Sequence, residues 1–395
     1  MSSPLPRPVR LLGWTSLFTD AATEAIYPLL PVFLTRVLGA TPVSLGIIEG
    51  AADGVASLLK LIAGRASDRS GRRKPFVVAG YAIAGFVRPF MALASTWPHV
   101  FAVRVTDRVG KGLRGAPRDA MLGALAPEGE RGRVFGFHRA MDHSGAVIGP
   151  LAATAFLWFF PGQYRALFAV TIVPGLIALA MVLFVPEAVT LTATTANPTP
   201  HDNSRSEAIP PALKRFLVIL AIFTLGNSSD AFLLLRLSDA GLATVYLPLV
   251  WAALHVVKAG LSTLGGGLSD SYGRSRPIIA GWVVYAVVYA GFALSESLAA
   301  LLTWFLEYGV HFALDEGSEK ALVADLTPGL LQGTAFGWYN AVLGLGALSA
   351  SILFGALWEG FGPRTAFLIG AALALLAAVL LAGDRTISGV RARPG

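Results

Sequence analysis

Ionisable side chains recur at helical spacing inside stretches of the chain that are otherwise apolar. Near the N-terminus, Asp20, Glu24 and Tyr27 fall on one face of a helix, because residues three or four apart share a side. Two carboxyl groups one turn apart repel each other when both are ionised, so one of them can hold an exchangeable proton. Asp20 and Glu24 are therefore candidates for proton binding, with a structural or gating role as the alternative, and Tyr27 is a candidate for solute contact.

Two further stretches carry charge along one helical face. At 100° per residue, seven charged side chains fall within an arc of roughly 140°: Arg104, Asp107, Arg108, Lys111, Arg114, Arg118 and Asp119. Later in the chain a ladder with i, i+4 spacing consists of Glu307, His311, Asp315 and Glu319. Ionisable residues in apolar segments usually face a cavity or one another, because burying them alone is costly. The residues that we expect to line such a cavity are Arg108, Lys111, Arg114, Glu307, His311 and Asp315.

His138 and Asp142 are spaced i, i+4 in another apolar stretch, and Asp142 is a third candidate for proton binding. A metal site can be drawn from His138, Asp142 and His143, but hydrogen-bonded histidines near a helix start are more common, so we expect no metal. The chain has no cysteine, which excludes disulfides and thiolate ligands. Because no nucleophile stands beside a base in a supporting context, we expect no cofactor and no enzymatic activity.

The composition predicts a membrane protein. Of the 395 residues, 54% are hydrophobic and only 14% are charged, whereas soluble domains carry about 25% charged residues. Apolar runs of about 20 residues predict membrane-spanning helices. Twelve such runs lie at 11–36, 43–63, 76–95, 99–121, 134–160, 166–185, 214–236, 242–265, 278–295, 298–324, 334–358 and 365–383. The first run is long and holds two acids, so we expect it to remain as a span rather than to be cleaved.

The distribution of the positive charge predicts an orientation. If the chain starts inside and the twelve spans alternate, most Lys and Arg residues of the loops fall on the inner side. Only four fall in outer segments: Arg36, Arg165, Arg236 and Arg364. The positive-inside rule then places both termini in the cytoplasm of a prokaryotic cell, with the protein in its inner membrane. We expect the basic loops to face anionic lipid, not nucleic acid.

The chain also contains an internal repeat. Residues 64–75 and 266–277 agree at six positions at an offset of 202. The stretch 186–213 between the two copies is rich in Thr, Pro, Asn and Ser, which is typical of a flexible linker. We therefore predict two related six-span domains, 1–185 and 214–395, joined by a cytoplasmic linker. Duplicated halves of this kind occur in secondary transporters, which bind their solutes between the halves near the bilayer midplane.

Two glycine-containing motifs have spacings that resemble a known family. Residues Gly64, Asp68, Arg69, Gly71, Arg72 and Arg73 form the pattern G-x-x-x-D-R-x-G-R-R, and Gly136, Gly145, Gly149 and Pro150 form G-x8-G-x3-G-P. With an Arg108 to Gly112 pattern in the fourth span, the chain resembles the major facilitator superfamily over nearly its whole length. In that family the first motif is the signature loop and the second is associated with antiporters. The glycine pair that usually follows the second motif is missing here, which weakens the antiport prediction.

The resemblance implies roles for several residues. Asp68 would face the positive dipole at the start of the eleventh span and latch the halves together on the inner side; Asp270 is its repeat mate. The alternative is that the arginines of the signature loop only anchor it inside. The first, fourth, seventh and tenth spans would line the cavity, which adds Asn227 and Asp230 as candidates for solute contact. Arg118 and Glu319 would pair as a gate, unless each charged stripe is neutralised within its own half.

The sequence thus predicts two pseudo-symmetric six-helix bundles that move a small organic solute by alternating access, with proton-coupled efflux as the leading hypothesis. One alternative is uptake of an anionic metabolite or a siderophore-like metal chelate. Another is a membrane receptor without solute flux. The expected partners are the solute, protons and the lipid bilayer, and we expect a monomer.

Overall fold

A computed structural model describes residues 5–126, 131–187, 209–327 and 332–388, excluding the side chains of Asp68, Glu316, 131–133, 262–272, 332–334 and 388. The described residues form twelve long helices and no strand. They are α1 (Arg7–Val37), α2 (Pro42–Ser70), α3 (Lys74–Leu93), α4 (Trp97–Leu125), α5 (Arg131–Phe159), α6 (Tyr164–Leu183), α7 (Pro211–Asp239), α8 (Leu247–Tyr272), α9 (Ser275–Leu294), α10 (Leu298–Asp325), α11 (332–361) and α12 (363–383). Gly362, with φ of 83°, separates the last two.

The predicted all-α, twelve-span architecture is confirmed. Seven helical segments of the described chain are long and apolar enough to cross a membrane by length and composition, with α11 and α12 counted as one continuous segment. The helices that do not meet these criteria of length and composition are α2, α4, α5 and α10. These are the helices that carry the charged stripes, so their low hydropathy reflects side chains that must be neutralised inside the protein.

The helices form two six-helix bundles, the N-terminal half (α1–α6) and the C-terminal half (α7–α12). The halves meet where α2 packs on α11 and where α5 packs on α8, and these two pairs correspond under the repeat. Repeat mates themselves touch along α1 and α7: the Tyr27 hydroxyl lies 3.2 Å from the Ser229 hydroxyl, and Arg36 donates to the Ser238 carbonyl at 2.8 Å. Residues 202 apart can touch in this way only beside a pseudo-two-fold axis, which therefore runs between α1 and α7.

The start of α1, the end of α12 and the signature loop lie at one end of the bundle, which we call the terminal face; the other end is the distal face. At the terminal face the chain turns through Gly71, whose φ of 64° favours glycine. The Glu187 carboxylate accepts the N–H groups of Arg73 and Lys74 at 2.9 and 3.1 Å. An acid at the start of α3 satisfies free N–H groups and the helix dipole, so the signature loop is fixed to the end of α6.

A short turn after α12 is fixed to α7 at the same face. Arg215 and Asp384 form an ion pair at 3.1 Å. Hydrogen bonds from Thr386 hold the pKa of the Asp384 carboxyl below its usual range, because they favour the ionised carboxylate.

Close helix packing explains the glycines of the fifth-span motif. A Cβ at Gly145 would overlap the Leu17 carbonyl, and one at Gly149 would overlap the Ala21 carbonyl. Small residues of this kind let two helix backbones approach each other. Gly136, in contrast, has open space around it, and Pro150 is buried inside α5. Two glycines of the motif therefore join α5 to α1.

Replacement of Gly149 by Leu should lower the stability by about 1–3 kcal/mol, because the added side chain must displace the α1 backbone. The same change at Gly136, an exposed position of the same helix, is the matched control and should have little effect. Thermal unfolding in detergent measures both variants. Equal losses would show that the motif does not act through packing on α1.

Candidate functional site

The centre of the molecule lies where α1 and α7 both lose regular helical geometry. In α1 the segment Tyr27–Leu29 forms a 3-10 turn, because Pro28 removes an N–H donor and crowds the preceding turn. In α7 the backbone is non-helical at Asn227, with φ of −95° and ψ of 86°. Under the repeat, Tyr27–Leu29 correspond to residues 228–231, directly after Asn227, so the two breaks lie at about the same level. Broken helices of corresponding position in two repeats are typical of solute sites in transporters.

A cluster of three side chains joins the halves at this level. The buried Tyr27 ring packs on Trp251 of α8 at a centroid distance of 4.9 Å. The Trp251 indole N–H donates to Glu24 of α1 at 2.7 Å. The hydrogen bond is charge-assisted when Glu24 is ionised. Glu24, a predicted proton-binding residue, thus takes part in a contact between the two halves.

The other two proton-binding candidates lie between α1 and α5. Asp142 accepts hydrogen bonds from Ser16 and from His138, whose Nδ1 lies 3.4 Å away. Asp20 is half-buried, and its charged neighbours include Asp142 and Lys111. The structure therefore brings Asp20 and Asp142 together although they are far apart in sequence.

Two buried ion pairs fix α4 within the N-terminal half. Arg104 binds Glu49 of α2 through two hydrogen bonds of 2.8 and 2.9 Å. Asp107 accepts from Arg88 of α3 at 2.8 Å, and Arg88 also donates to the Thr19 carbonyl at 3.0 Å. Sequence reasoning missed Arg88, a single cation in an apolar run with no periodic partner. The signal that was available is that a lone arginine inside a span requires an acid from another helix.

The predicted cavity residues of α4 divide into two groups. Arg108 lies 3.8 Å from Asp53 of α2, and its buried Nε has no hydrogen-bond partner among the described residues. Lys111 is exposed in the middle of the helix. Arg114, in contrast, is buried against α3, where it donates to the Gly80 carbonyl at 3.3 Å and lies over the Tyr81 ring. Solute contact by Arg108 and Lys111 therefore stays a prediction, whereas Arg114 packs inside its own half.

In the C-terminal half, Asp230 lies at the start of the second segment of α7. It accepts from the Tyr308 hydroxyl at 2.6 Å and forms an ion pair with Lys258 of α8 at 3.5 Å. The Asn227 side chain is half-buried at the break in the same helix. Sequence reasoning missed Lys258, which stands as a single cation in an apolar stretch.

The acidic ladder of α10 is turned mostly into its own half. His311 Nδ1 lies 2.9 Å from Asp315, and Glu319 accepts from Trp282 at 3.1 Å and from Tyr339 at 3.0 Å. Glu307 is exposed, whereas the other three side chains are buried. His311 and Asp315 therefore pack within the bundle and do not line an open cavity in this conformation.

The predicted gate pair is not formed in this conformation. Arg118 bonds to the adjacent Asp119 at 2.9 Å and to Ser16 at 3.5 Å, while Glu319 has the partners described above. These contacts agree with the alternative, in which the charged stripes of α4 and α10 are each neutralised within their own half. Pairing of Arg118 with Glu319 stays a prediction for the opposite conformation.

The latch also stays a prediction. Arg69, Gly71 and Arg72 are exposed at the terminal face. Gly64 lies close to Ala116 of α4, which fixes the end of α2. The side chains of Asp68 and Asp270, and those at the start of α11, lie outside the described residues.

Two six-helix halves related by a pseudo-two-fold axis, with broken helices at a charged boundary, define the architecture of a secondary transporter. The family model described as Major Facilitator Superfamily matches residues 12–315 and 259–393. The chain belongs to this superfamily and is a multi-pass membrane transport protein, as the sequence motifs predict.

Similar proteins share the family and the fold. An uncharacterized MFS-type transporter of Methanocaldococcus jannaschii is 33% identical over 388 residues, which are 95% of this chain and 94% of that protein. Multidrug resistance protein MdtH of Photorhabdus laumondii is 29% identical over 164 residues, 41% of this chain and 39% of that protein. The crystal structure of the nucleoside transporter NupG superposes with a TM-score of 0.76 at 14% identity, covering 95% of this chain and 98% of that one.

Removal of either partner of the Arg104–Glu49 pair should lower the stability by about 3–5 kcal/mol, because the remaining charge is left buried alone. Glu49→Leu and Arg104→Met test the two partners separately by thermal unfolding in detergent. The double variant Glu49→Leu/Arg104→Met should recover most of the loss. Arg364→Met, at an exposed arginine, is the control. Additive losses in the double variant would contradict pairing.

Proposed function

We propose that the protein is a proton-coupled secondary transporter that exports a small organic solute by alternating access. The observation that carries this proposal is the hydrogen bond between Trp251 and Glu24, which joins the halves beside the α1 break. Ionised Glu24 is the stronger acceptor. Protonation of Glu24 therefore weakens a contact that holds the halves together, and this links proton binding to the conformational equilibrium.

The conformation supports a cycle in which the two faces open in turn. The halves are joined towards the distal face, where Arg36 of α1 binds the Ser238 carbonyl at 2.8 Å and lies 3.8 Å from Asp239. Trp158 of α5 also packs on Tyr246 beside α8 there. We infer that this conformation is the one open towards the terminal face. The charge distribution supports a cytoplasmic location of that face and of both termini in a prokaryotic cell.

Export is supported by the placement of the acids. Asp20 and Asp142 lie closer to the terminal face than Glu24 does, and their neighbour Lys111 is exposed. A solute that enters from the cytoplasm meets these groups first, and a proton can leave them on that side. The bundles 1–185 and 214–395 would move as units around the 186–213 linker, and one copy of the chain is sufficient for this cycle.

A second function is favoured by the cations of α4. Arg108, whose Nε makes no hydrogen bond among the described residues and lies 3.8 Å from Asp53, and the exposed Lys111 are suited to bind a carboxylate or phosphate of a solute. This arrangement would fit the transport of an anionic metabolite or a metal chelate, in either direction.

Glu24→Gln should abolish proton flux coupled to solute movement in proteoliposomes, because the amide cannot exchange a proton at this position. A pH-sensitive dye inside the vesicles measures proton flux while a panel of small organic solutes is added. Glu296→Gln, which removes an exposed acid from the loop after α9, is the matched control and should behave as the parent. A Glu24→Gln variant with the proton flux and pH dependence of the parent would refute the proposal.

A covalent bridge at the distal face should arrest transport. Because the chain has no cysteine, the pair Arg36→Cys/Asp239→Cys, at two exposed side chains that lie 3.8 Å apart, can be introduced without a background reaction. We expect a short thiol cross-linker to join the two positions in the resting protein and to block solute flux, and a reducible reagent should allow recovery. Uninhibited flux in the fully bridged protein would contradict alternating access at this face.

A further inference from the structure

The ammonium group of Lys258 lies inside a cage made by three aromatic rings and one acid. Its Nζ is 3.6 Å from the ring centroid of Phe312, 5.6 Å from that of Trp251 and 5.7 Å from that of Tyr308. Asp230 Oδ2 lies 3.5 Å from the same nitrogen. We call Asp230, Trp251, Tyr308 and Phe312 the Lys258 cage.

The geometry of the Lys258 cage is suited to an organic cation. Ring faces within about 6 Å attract an ammonium group through the ring quadrupole, and cages of this kind recognise quaternary ammonium ligands. A carboxylate at one side supplies the opposite charge. The Tyr308 hydroxyl donates to the other carboxylate oxygen of Asp230 at 2.6 Å, which fixes the acid and one ring relative to each other.

The Lys258 side chain fills the cage and is intrinsically flexible. Its ammonium ends a four-carbon chain with many rotamers, and 15% of its side chain is exposed. The ring and carboxylate contacts that hold it are the same contacts that a free ammonium ion would make. A solute can therefore take its place while the cage keeps its shape.

The cage belongs to one half only. At the repeat offset of 201, Phe312 corresponds to Lys111 and Tyr308 corresponds to Asp107. The N-terminal half thus has charged side chains where the C-terminal half has rings, so the two sides of the boundary differ in chemistry. The cage is the part of the boundary that provides rings around a single acid.

Trp251, which forms one wall of the cage, also contacts the N-terminal half. Trp251 donates to Glu24 and packs on Tyr27, both in α1. Insertion of a larger group beside Trp251 must strain or release these contacts. Occupation of the cage is therefore physically linked to the relative position of the halves.

We propose that the Lys258 cage binds the ammonium group of an organic cation, with Lys258 as the internal occupant that the solute displaces. This inference rests on the proposed transport function, for which it specifies the class of solute. When the solute ammonium binds, it takes over the contacts of Lys258 with Asp230 and the rings. Lys258 is then free to move towards the boundary between the halves.

Choline and its neutral analogue 3,3-dimethyl-1-butanol, which have the same shape and differ in charge, test the proposal. Binding to the purified full-length protein in detergent is followed by tryptophan fluorescence and calorimetry, with no proton gradient. Lys258→Met should bind choline about tenfold more tightly than the parent, because the cage is vacated and Asp230 is left unpaired. Lys214→Met, which removes an exposed lysine from the same half, should match the parent.

Two further substitutions test whether choline binds in the cage or whether the loss of one positive charge alone accounts for tighter binding. In the Lys258→Met background, Phe312→Leu should return choline binding to the parent level or below, and Asp230→Asn should abolish it. If Lys258→Met does not fold, Lys258→Gln serves instead. Equal binding of the two analogues, or no gain on removal of Lys258, would overturn the inference. Because these binding measurements use no proton gradient, they can contradict the cage proposal without contradicting proton-coupled transport. In the same way, the Glu24→Gln flux experiment can contradict proton coupling without contradicting choline binding in the cage.

Discussion

The need to neutralise charge inside a membrane protein determines how the N-terminal half is built. An isolated ion in an apolar interior is costly, and it persists only when opposite charges and hydrogen bonds surround it. The acids and arginines of α2, α3 and α4 meet this requirement as pairs between helices, such as Arg104 with Glu49 and Arg88 with Asp107. Each pair fixes one helix against the next. Polar side chains that would destabilise a simple apolar bundle therefore specify how these helices are packed.

In the C-terminal half, aromatic side chains pack the helices against one another. Tyr285 and Tyr289 stack at 4.1 Å, and Phe223 stacks on Trp282 at 4.6 Å. Large aromatic side chains bury extensive apolar area with few rotamers. The two halves share a backbone architecture but differ in side-chain chemistry, so the boundary between them presents cations and carboxylic acids on one side and rings around Asp230 on the other. This asymmetry underlies the proposal that one site combines proton binding with recognition of an organic solute.

The contacts between the two halves lie at different levels along the pseudo-two-fold axis. The contact of Tyr27 with Ser229 lies at the level of the breaks in α1 and α7. The contact of Arg36 with Ser238, also between repeat mates, lies towards the distal face, and the proposed opening of that face must break it. Glycines 46, 50 and 355 bring α2 close to α11, where an added Cβ would overlap the backbone of the other helix. The halves therefore come into close backbone contact along α2 and α11.

The sequence by itself determined the number of helices, the two-fold repeat and the family, because these depend on local hydropathy and on motif spacing. It also identified Glu24, Asp142 and Arg108 as polar residues of the interior, since periodicity shows which side chains share a face. It did not determine their partners. Arg88 and Lys258 had no periodic signal, and Arg114 lies on the same helical face as Lys111 yet packs against Tyr81. Only the tertiary structure decided which charges pair within a half and which remain at the boundary, because neutralisation depends on helices that are distant in the chain.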